Sequence, residues 1–115
     1  MTRLEKELDT ELIEKELDTE LRSLYYKWRT IGYPAGYFWR MLTSKDPGYG
    51  KGPLGTVRHL LGGEPSMGSG FMRLLRANKL EWTVEALLLD PKWKPLFTDL
   101  ELQKAKSRLD RYRRK

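Results

Sequence analysis

The chain has no glycine before Gly32 and no proline before Pro34, so its first thirty residues lack both residue types that commonly end a helix. Residues 2–5 read TRLE, the S/T-x-x-E form of a capping box, in which the threonine hydroxyl and the glutamate carboxylate each accept a backbone N–H at a helix start. This pattern predicts one long helix from Arg3 to about Thr30, with Gly32 as its C-terminal stop.

Within this helix nearly the same nine residues occur twice, as LEKELDTEL at 4–12 and IEKELDTEL at 13–21. Because a helix turns about 100° per residue, a shift of nine residues rotates the pattern by about 180°, so the copies face opposite ways. The second copy continues into an apolar stripe made of Ile13, Leu17, Leu21, Leu24, Trp28 and Ile31. We therefore expect residues 1–12 to be an acidic helical extension and residues 13–115 to be a single helical domain with a basic C-terminal helix.

The leucines of the first copy, Leu4, Leu8 and Leu12, lie on the other side of the helix from this stripe. Two interpretations remain open. Either the extension is a solvated helix end, or its three leucines form a protein interface with a partner chain or a second copy of this protein.

The rest of the chain predicts short helices separated by turn residues. Their expected starts, in order, are Pro34, Pro53, Gly70, Glu81 or Thr83, and Thr98. Gly62-Gly63, Asn78 and Asp90-Pro91 are the expected ends of the middle three, and a short turn carrying Trp93 precedes the last helix. Since no segment alternates with a period of two, the predicted class is all-α, a long N-terminal helix followed by a compact bundle of four to five short helices.

The composition bounds the class of protein. A chain of 115 residues with four Trp, six Tyr and three Phe is sized for one domain with one core. The absence of cysteine excludes disulfides, thiolate metal sites and cysteine nucleophiles. The first twenty-five residues hold eight acids and no apolar run, which argues against a secretory signal, and no apolar stretch reaches the ~18 residues that span a bilayer. We expect a cytoplasmic protein with no membrane contact.

The charge is distributed unevenly along the chain. Residues 1–22 carry four basic and eight acidic side chains, whereas from Lys104 onward seven basic residues face one acid. Four of these basic residues follow a helical spacing of i, i+4, i+7 and i+11, namely Lys104, Arg108, Arg111 and Lys115. Such a stripe is suited to neutralising phosphates without reading sequence, although a solvated charged terminus explains the same pattern.

The sequence lacks a convincing catalytic or cofactor motif. The loop GYGKGP at 48–53 lacks the order of a phosphate-binding loop, because its Gly52 follows Lys51. His59 is the sole histidine, and a structural role is favoured over a metal site or a proton relay. The helix after Thr83 offers only Glu85 among apolar residues, which argues against a DNA-reading helix. We predict a non-enzymatic protein with no catalytic residues, metal or cofactor.

An aromatic and basic run, YYKWR at 25–29, lies near Tyr33, Tyr37 and Trp39. Such a run can stack single-stranded bases. We favour core packing, because a small domain needs bulky anchors and the four Trp fall in successive predicted elements.

Three segments carry a family resemblance: GYPAGYF at 32–38, SGFMRLL at 69–75 and LEWTVEALLLDPKWKPLFTDLE at 80–101. They resemble a largely uncharacterised family of small bacterial helical proteins and C-terminal modules, some of which lie beside nuclease-like domains. The chain departs from that pattern at Ser69-Gly70, which lacks an intervening residue, and at Lys79-Leu80-Glu81, which stands for R-L-D. The resemblance covers about three quarters of the chain and implies a helical fold and a role near nucleic acid.

Together these features predict a binding module that contacts a nucleic-acid backbone, without sequence specificity, through its basic C-terminal helix. The resemblance would make it an accessory to a nuclease or to a defence or repair partner. The alternative is a protein-interaction or oligomerisation module that uses the N-terminal helix.

Overall fold

The computed structural model describes residues 2–63 and 69–113, and within them the fold is helical with no strand. The α-helices are α1 (Arg3–Thr30), α2 (Gly36–Thr43), α3 (Gly52–Gly62), α4 (Gly70–Arg76), α5 (Val84–Leu87) and α6 (Asp99–Arg113). Two 3-10 turns, Leu80–Trp82 and Pro91–Leu96, flank α5. The predicted all-α class, with a long N-terminal helix and a compact set of short ones, is confirmed.

Helix α1 begins and ends where its local signals predict. The Glu5 N–H donates to Thr2 Oγ1 at 3.2 Å, and the Thr2 N–H donates to Glu5 Oε2 at 3.4 Å, so both halves of the capping box are present. At the other end Gly32 has a φ of +79°, and the N–H of Tyr33 returns to the carbonyl of Trp28 at 3.0 Å. A glycine accepts this left-handed conformation without strain, which is why the helix stops there.

The core forms around one face of α1. Leu17, Leu21, Leu24 and Trp28 are buried there against α2, α3 and the second 3-10 turn. The predicted stripe is confirmed from the half-buried Ile13 to Trp28 but is wrong at Ile31, which is 37% exposed. Ile31 caps α1 with a φ of −107°, outside the helical region, so helical periodicity no longer sets the direction of its side chain.

The connections show which turn predictions were accurate. Helix α2 begins at Gly36 rather than Pro34, because Ala35 adopts a φ of +45° that interrupts a right-handed helix. In the following loop the backbone folds so tightly that a Cβ on Gly50 would lie 1.9 Å from the carbonyl oxygen of Ser44. Helix α3 then starts at Gly52, with Pro53 in its first turn as the sequence predicts.

The short C-terminal elements are set by side-chain caps. Thr83, the second of the two predicted start residues, accepts the Ala86 N–H at 3.0 Å and caps α5. The second capping box is also confirmed, because Thr98 Oγ1 accepts the Glu101 N–H at 3.1 Å while Glu101 Oε1 accepts the Thr98 N–H at 2.9 Å. Asn78, with a φ of +59°, follows Ala77, the C-cap residue of α4, close to the predicted end of that helix.

Candidate functional site

The basic stripe predicted on the last helix is broken at its second member. Lys104 and Arg111 are exposed on α6, whereas Arg108 is 5% exposed, and Lys115 lies outside the described residues. Arg108 therefore has no access to a phosphate, and its assignment to nucleic-acid binding was wrong. On a helical wheel Arg108 lies about 40° from Lys104, toward the buried side that carries Ala105 and Leu109.

The Arg108 guanidinium is held entirely by the protein. Its Nη1 donates to Glu85 Oε2 at 2.8 Å and to the Leu60 carbonyl at 3.2 Å. Its Nη2 donates to the carbonyls of Leu61, at 3.3 Å, and Gly63. The last carbonyls of a helix have no partner within it, so Arg108 from α6 supplies those donors to the end of α3 and ties both helices to Glu85 on α5.

A cavity of about 240 Å³ lies beside this ion pair. Its walls are mostly apolar and include Phe38, Phe71 and Leu74, and the pair and His59 also line it. The hydrogen bonds of the guanidinium go to Glu85 and to backbone carbonyls, so the pair holds three helices together rather than presenting a charge to a ligand. Within the described residues, no three His, Asp or Glu side chains converge in a way that could hold a metal ion.

A different surface gathers aromatic rings and guanidinium groups at the contact of α1 with α2. The rings of Tyr25 and Trp39 stack with centroids 4.3 Å apart and planes 26° apart. The guanidinium carbon of Arg22 lies 5.5 Å from the Trp39 ring, and that of Arg29 lies 5.8 Å from the Tyr25 ring. Since residues three or four apart share a helix face, Arg22, Tyr25 and Arg29 align on α1. We call Arg22, Trp39, Tyr25 and Arg29 the aromatic–arginine row.

Tyr26 borders this row and is 55% exposed. Its ring lies 5.4 Å from Tyr25 at 71° and 5.8 Å from Trp39 at 63°, so it meets both edge-on rather than face to face. Near the row, the guanidinium carbon of Arg40 lies 5.9 Å from the ring of the exposed Tyr49. The row and these neighbours thus combine positive charge with accessible rings.

The surroundings of the row are strongly basic. Residues 22–51 hold six Lys or Arg against the single acid Asp46, and eight of the thirteen aromatic residues of the chain. Arg22 pairs with Asp18 at 2.9 Å, but neither Arg29 nor Arg40 forms an ion pair with any residue that the structure describes. Cations without an acidic partner are available to an anionic ligand.

The predicted core packing of the YYKWR run is confirmed for Trp28, holds in part for Tyr25, which packs half-buried against the core, and is wrong for Tyr26. Trp28 is buried at 3% exposure and donates its Nε1–H to the Trp82 carbonyl at 2.8 Å, as core packing predicts. Tyr25 is only half-buried and Tyr26 is exposed. The available signal was helical spacing, because Tyr26 lies about 180° around α1 from Leu17, whereas Tyr25 and Arg29, four residues apart, lie on the flank of the buried face.

The three leucines of the N-terminal extension are exposed to solvent. Leu4, Leu8 and Leu12 are 65%, 51% and 57% exposed, and the next apolar residue, Ile13, is the first on α1 to pack against the core. The extension therefore presents an apolar face that the rest of the described chain does not cover. Among the described residues, no helix is both long and apolar enough to cross a membrane.

No protein-family model, curated protein sequence or solved structure matches this chain. The family resemblance of the three segments stays a prediction.

Proposed function

We propose that the protein is a non-enzymatic module that binds single-stranded nucleic acid at the aromatic–arginine row. The observation that carries this proposal is the half-exposed stack of Tyr25 on Trp39 between two guanidinium groups, next to the exposed Tyr26. Proteins that bind single strands combine a positively charged surface along the phosphates with aromatic rings on which bases stack. The aromatic–arginine row and the adjoining exposed ring of Tyr26 supply both parts.

The row is better suited to binding a single strand of nucleic acid than a duplex. A base pair inside a duplex exposes only its edges in the grooves, so a tyrosine ring stacks on a base only where the base is unpaired. The exposed cations of α6, Lys104 and Arg111, add charge but present no aromatic ring in their helix face. We accordingly assign the contact to α1 and α2 and not to the C-terminal helix. A partnership with a nuclease or with a defence or repair protein, which the family resemblance implies, fits this assignment.

Binding of labelled oligonucleotides, followed by fluorescence anisotropy, tests the proposal. Base stacking on an aromatic side chain contributes about 1–3 kcal/mol, so Tyr26→Ala should weaken single-strand binding about 5- to 150-fold. Tyr37→Ala is the matched control, because Tyr37 is equally exposed at 56% and lies about 200° from Trp39 around α2. No binding to any single strand at about 50 mM salt, or equal losses in the two variants, would rule the site out.

A second candidate function has its own observation. The exposed Leu4, Leu8 and Leu12 support a role as a protein-interaction module, because apolar side chains grouped on one exposed helix face mark contact sites. A triple variant, Leu4→Ser with Leu8→Ser and Leu12→Ser, should have a lower mass by light scattering than the natural chain if they join two copies. If the triple variant and the natural chain have the same mass, the leucines have no role in self-association.

A further inference from the structure

The charges on the N-terminal extension are arranged around its leucine face. Residues three and four apart on a helix are neighbours, so Glu7 and Glu11 lie along one edge of the stripe formed by Leu4, Leu8 and Leu12. Glu5 and Asp9 lie along the other edge, Lys6 and Thr10 are on the opposite side of the helix, and Arg3 lies beside Glu7 and pairs with it at 3.3 Å. The exposed leucines are therefore bordered by four carboxylates, of which Glu7 pairs with Arg3 and Glu5 accepts the Thr2 N–H. A surface that covers the leucines should be apolar at its centre and positively charged around it, above all beside Asp9 and Glu11.

The outer face of α6 has this complementary composition. Leu100 is 77% exposed, more than any other large apolar side chain of the described chain. Lys104 and Arg111 lie on the same face, at i+4 and i+11 from Leu100. The methylene stems of lysine and arginine cover apolar surface while their charged ends remain in water, so this face can receive leucines as well as carboxylates.

We propose that the leucine face of the extension docks on the outer face of α6 in a second copy of this chain. The proposal rests on the second candidate function and names its partner. Pairing of two extensions with each other is disfavoured, because their leucine faces carry the same acidic borders and like charges repel at close range. Contact of the extension with α6 instead sets these acidic borders, with Asp9 and Glu11 foremost, against Lys104 and Arg111.

In the proposed dimer the contact forms twice. Leu4–Leu12 and Leu100–Arg111 are different surfaces, so two copies related by a two-fold axis form the contact twice, once in each direction. The doubled area brings two modest helix–helix contacts toward the ~1,200–2,000 Å² typical of a stable protein interface. Electrostatic attraction between exposed charges weakens within a distance of about 8 Å at physiological salt, so the pair should be partly sensitive to salt.

The experiment is light scattering and sedimentation on the full chain over a range of concentrations and salt. The natural chain should be a dimer that dissociates as salt rises, and Leu100→Ser should be monomeric. Ile31→Ser is the matched control, because Ile31 is also exposed, at 37%, but lies at the C-terminal end of α1. Circular dichroism checks that each variant keeps its helices. A natural chain that is monomeric at all concentrations, or one whose mass grows without limit, would overturn the proposal.

A charge exchange tests the pairing itself. Glu11→Lys and Lys104→Glu should each shift the dimer toward monomer, and the double variant should recover dimer. If the triple leucine variant is monomeric while Leu100→Ser remains dimeric, α6 is not the partner surface, although the extension is still an interface. If both stay dimeric, the extension has no part in the contact and the second candidate function falls with it.

Discussion

Arg108 and Glu85 form a buried ion pair 2.8 Å long, with 5% and 6% of their side chains exposed, that joins α6 to α5. A buried charge without its partner is strongly disfavoured, because neither water nor a counter-charge compensates it. The same guanidinium also supplies donors to three carbonyls at and just beyond the end of α3. The pair thus fixes the relative positions of three helices in the C-terminal half of the fold.

Replacement of Arg108 by methionine should lower the free energy of unfolding by about 3–5 kcal/mol, since it leaves the Glu85 carboxylate buried and unpaired. Urea unfolding followed by circular dichroism measures this. Lys104→Met, an exposed lysine on the same helix, should change stability by no more than about 0.5 kcal/mol. Adding Glu85→Met should recover part of the loss, because it removes the stranded charge but not the unbonded carbonyls of α3. Equal effects of the two single variants would contradict the assigned role of Arg108.

Two fully buried threonines should respond oppositely to replacement by valine, which has nearly the same shape. Thr56 is 0% exposed, and its hydroxyl has no hydrogen-bond partner among the described residues. Thr83 is 1% exposed, but its hydroxyl accepts from the Ala86 N–H at 3.0 Å and donates to the Leu80 carbonyl at 2.8 Å. Thr56→Val should raise the free energy of unfolding by about 1 kcal/mol, because it removes an uncompensated polar group. Thr83→Val should lower it by about 1–2 kcal/mol through loss of the cap. Thermal and urea unfolding of the two variants test this prediction. A destabilised Thr56→Val would contradict it and indicate that the Thr56 hydroxyl has a partner.

How much of the structure the sequence predicts depends on how far apart along the chain the interacting residues lie. Helix limits were predicted well where the cap is local, as at Thr2, Gly32 and Thr98. A threonine and a glutamate three residues apart meet in any helix that starts there, and a glycine accepts the left-handed conformation that ends one. The left-handed conformation of Ala35 was not predicted, because alanine rarely adopts it and no local sequence pattern indicates it. The spacing of the basic residues predicted that Arg108 shares an exposed face with Lys104. Arg108 lies instead at the edge of the buried side of α6, where it bonds to Glu85, a residue 23 positions earlier on another helix. No local pattern in the sequence predicts that contact.

The aromatic–arginine row shows the same limit. The α1 members, Arg22, Tyr25 and Arg29, follow a helical spacing that the sequence displays. Trp39 comes from another helix, and no local pattern states that its ring stacks on Tyr25. Fold class and helix starts are therefore local properties of this sequence, whereas its candidate site depends on how two helices pack.

Acid should destabilise the protein through Glu101. Burial alone would raise the pKa of Glu101, but hydrogen bonds from the Arg58 guanidinium at 2.8 Å and from the Thr98 N–H at 2.9 Å outweigh it and lower the pKa below its ordinary value. A carboxyl with a lowered pKa in the folded state stabilises that state above the unfolded pKa, and this contribution is lost as the pH falls through the folded pKa. The unfolding midpoint in urea should therefore decrease from about pH 5 downward.

The variant Glu101→Gln isolates this contribution. It should be less stable than the natural chain at neutral pH, and its stability should depend less on pH in the acidic range, because the shifted carboxyl is gone. Glu7→Gln is the control, since Glu7 pairs with Arg3 at an exposed site on the extension, with 59% of its side chain accessible. Parallel pH curves for Glu101→Gln and the natural chain would contradict this prediction.

Salt should separate the two parts of the proposed nucleic-acid site. Each cation that neutralises a phosphate releases a counterion, so Arg29→Gln and Arg40→Gln should each reduce the slope of log affinity against log salt by about one unit. Tyr26→Ala should lower affinity at every salt concentration and leave that slope unchanged, because stacking on a base releases no counterion. Anisotropy titrations with a single-stranded oligonucleotide between about 50 and 200 mM salt measure both quantities. Lys104→Gln serves as the control on α6, and if it reduces the slope as much as Arg29→Gln does, the phosphates extend onto the C-terminal helix and the site is larger than the row.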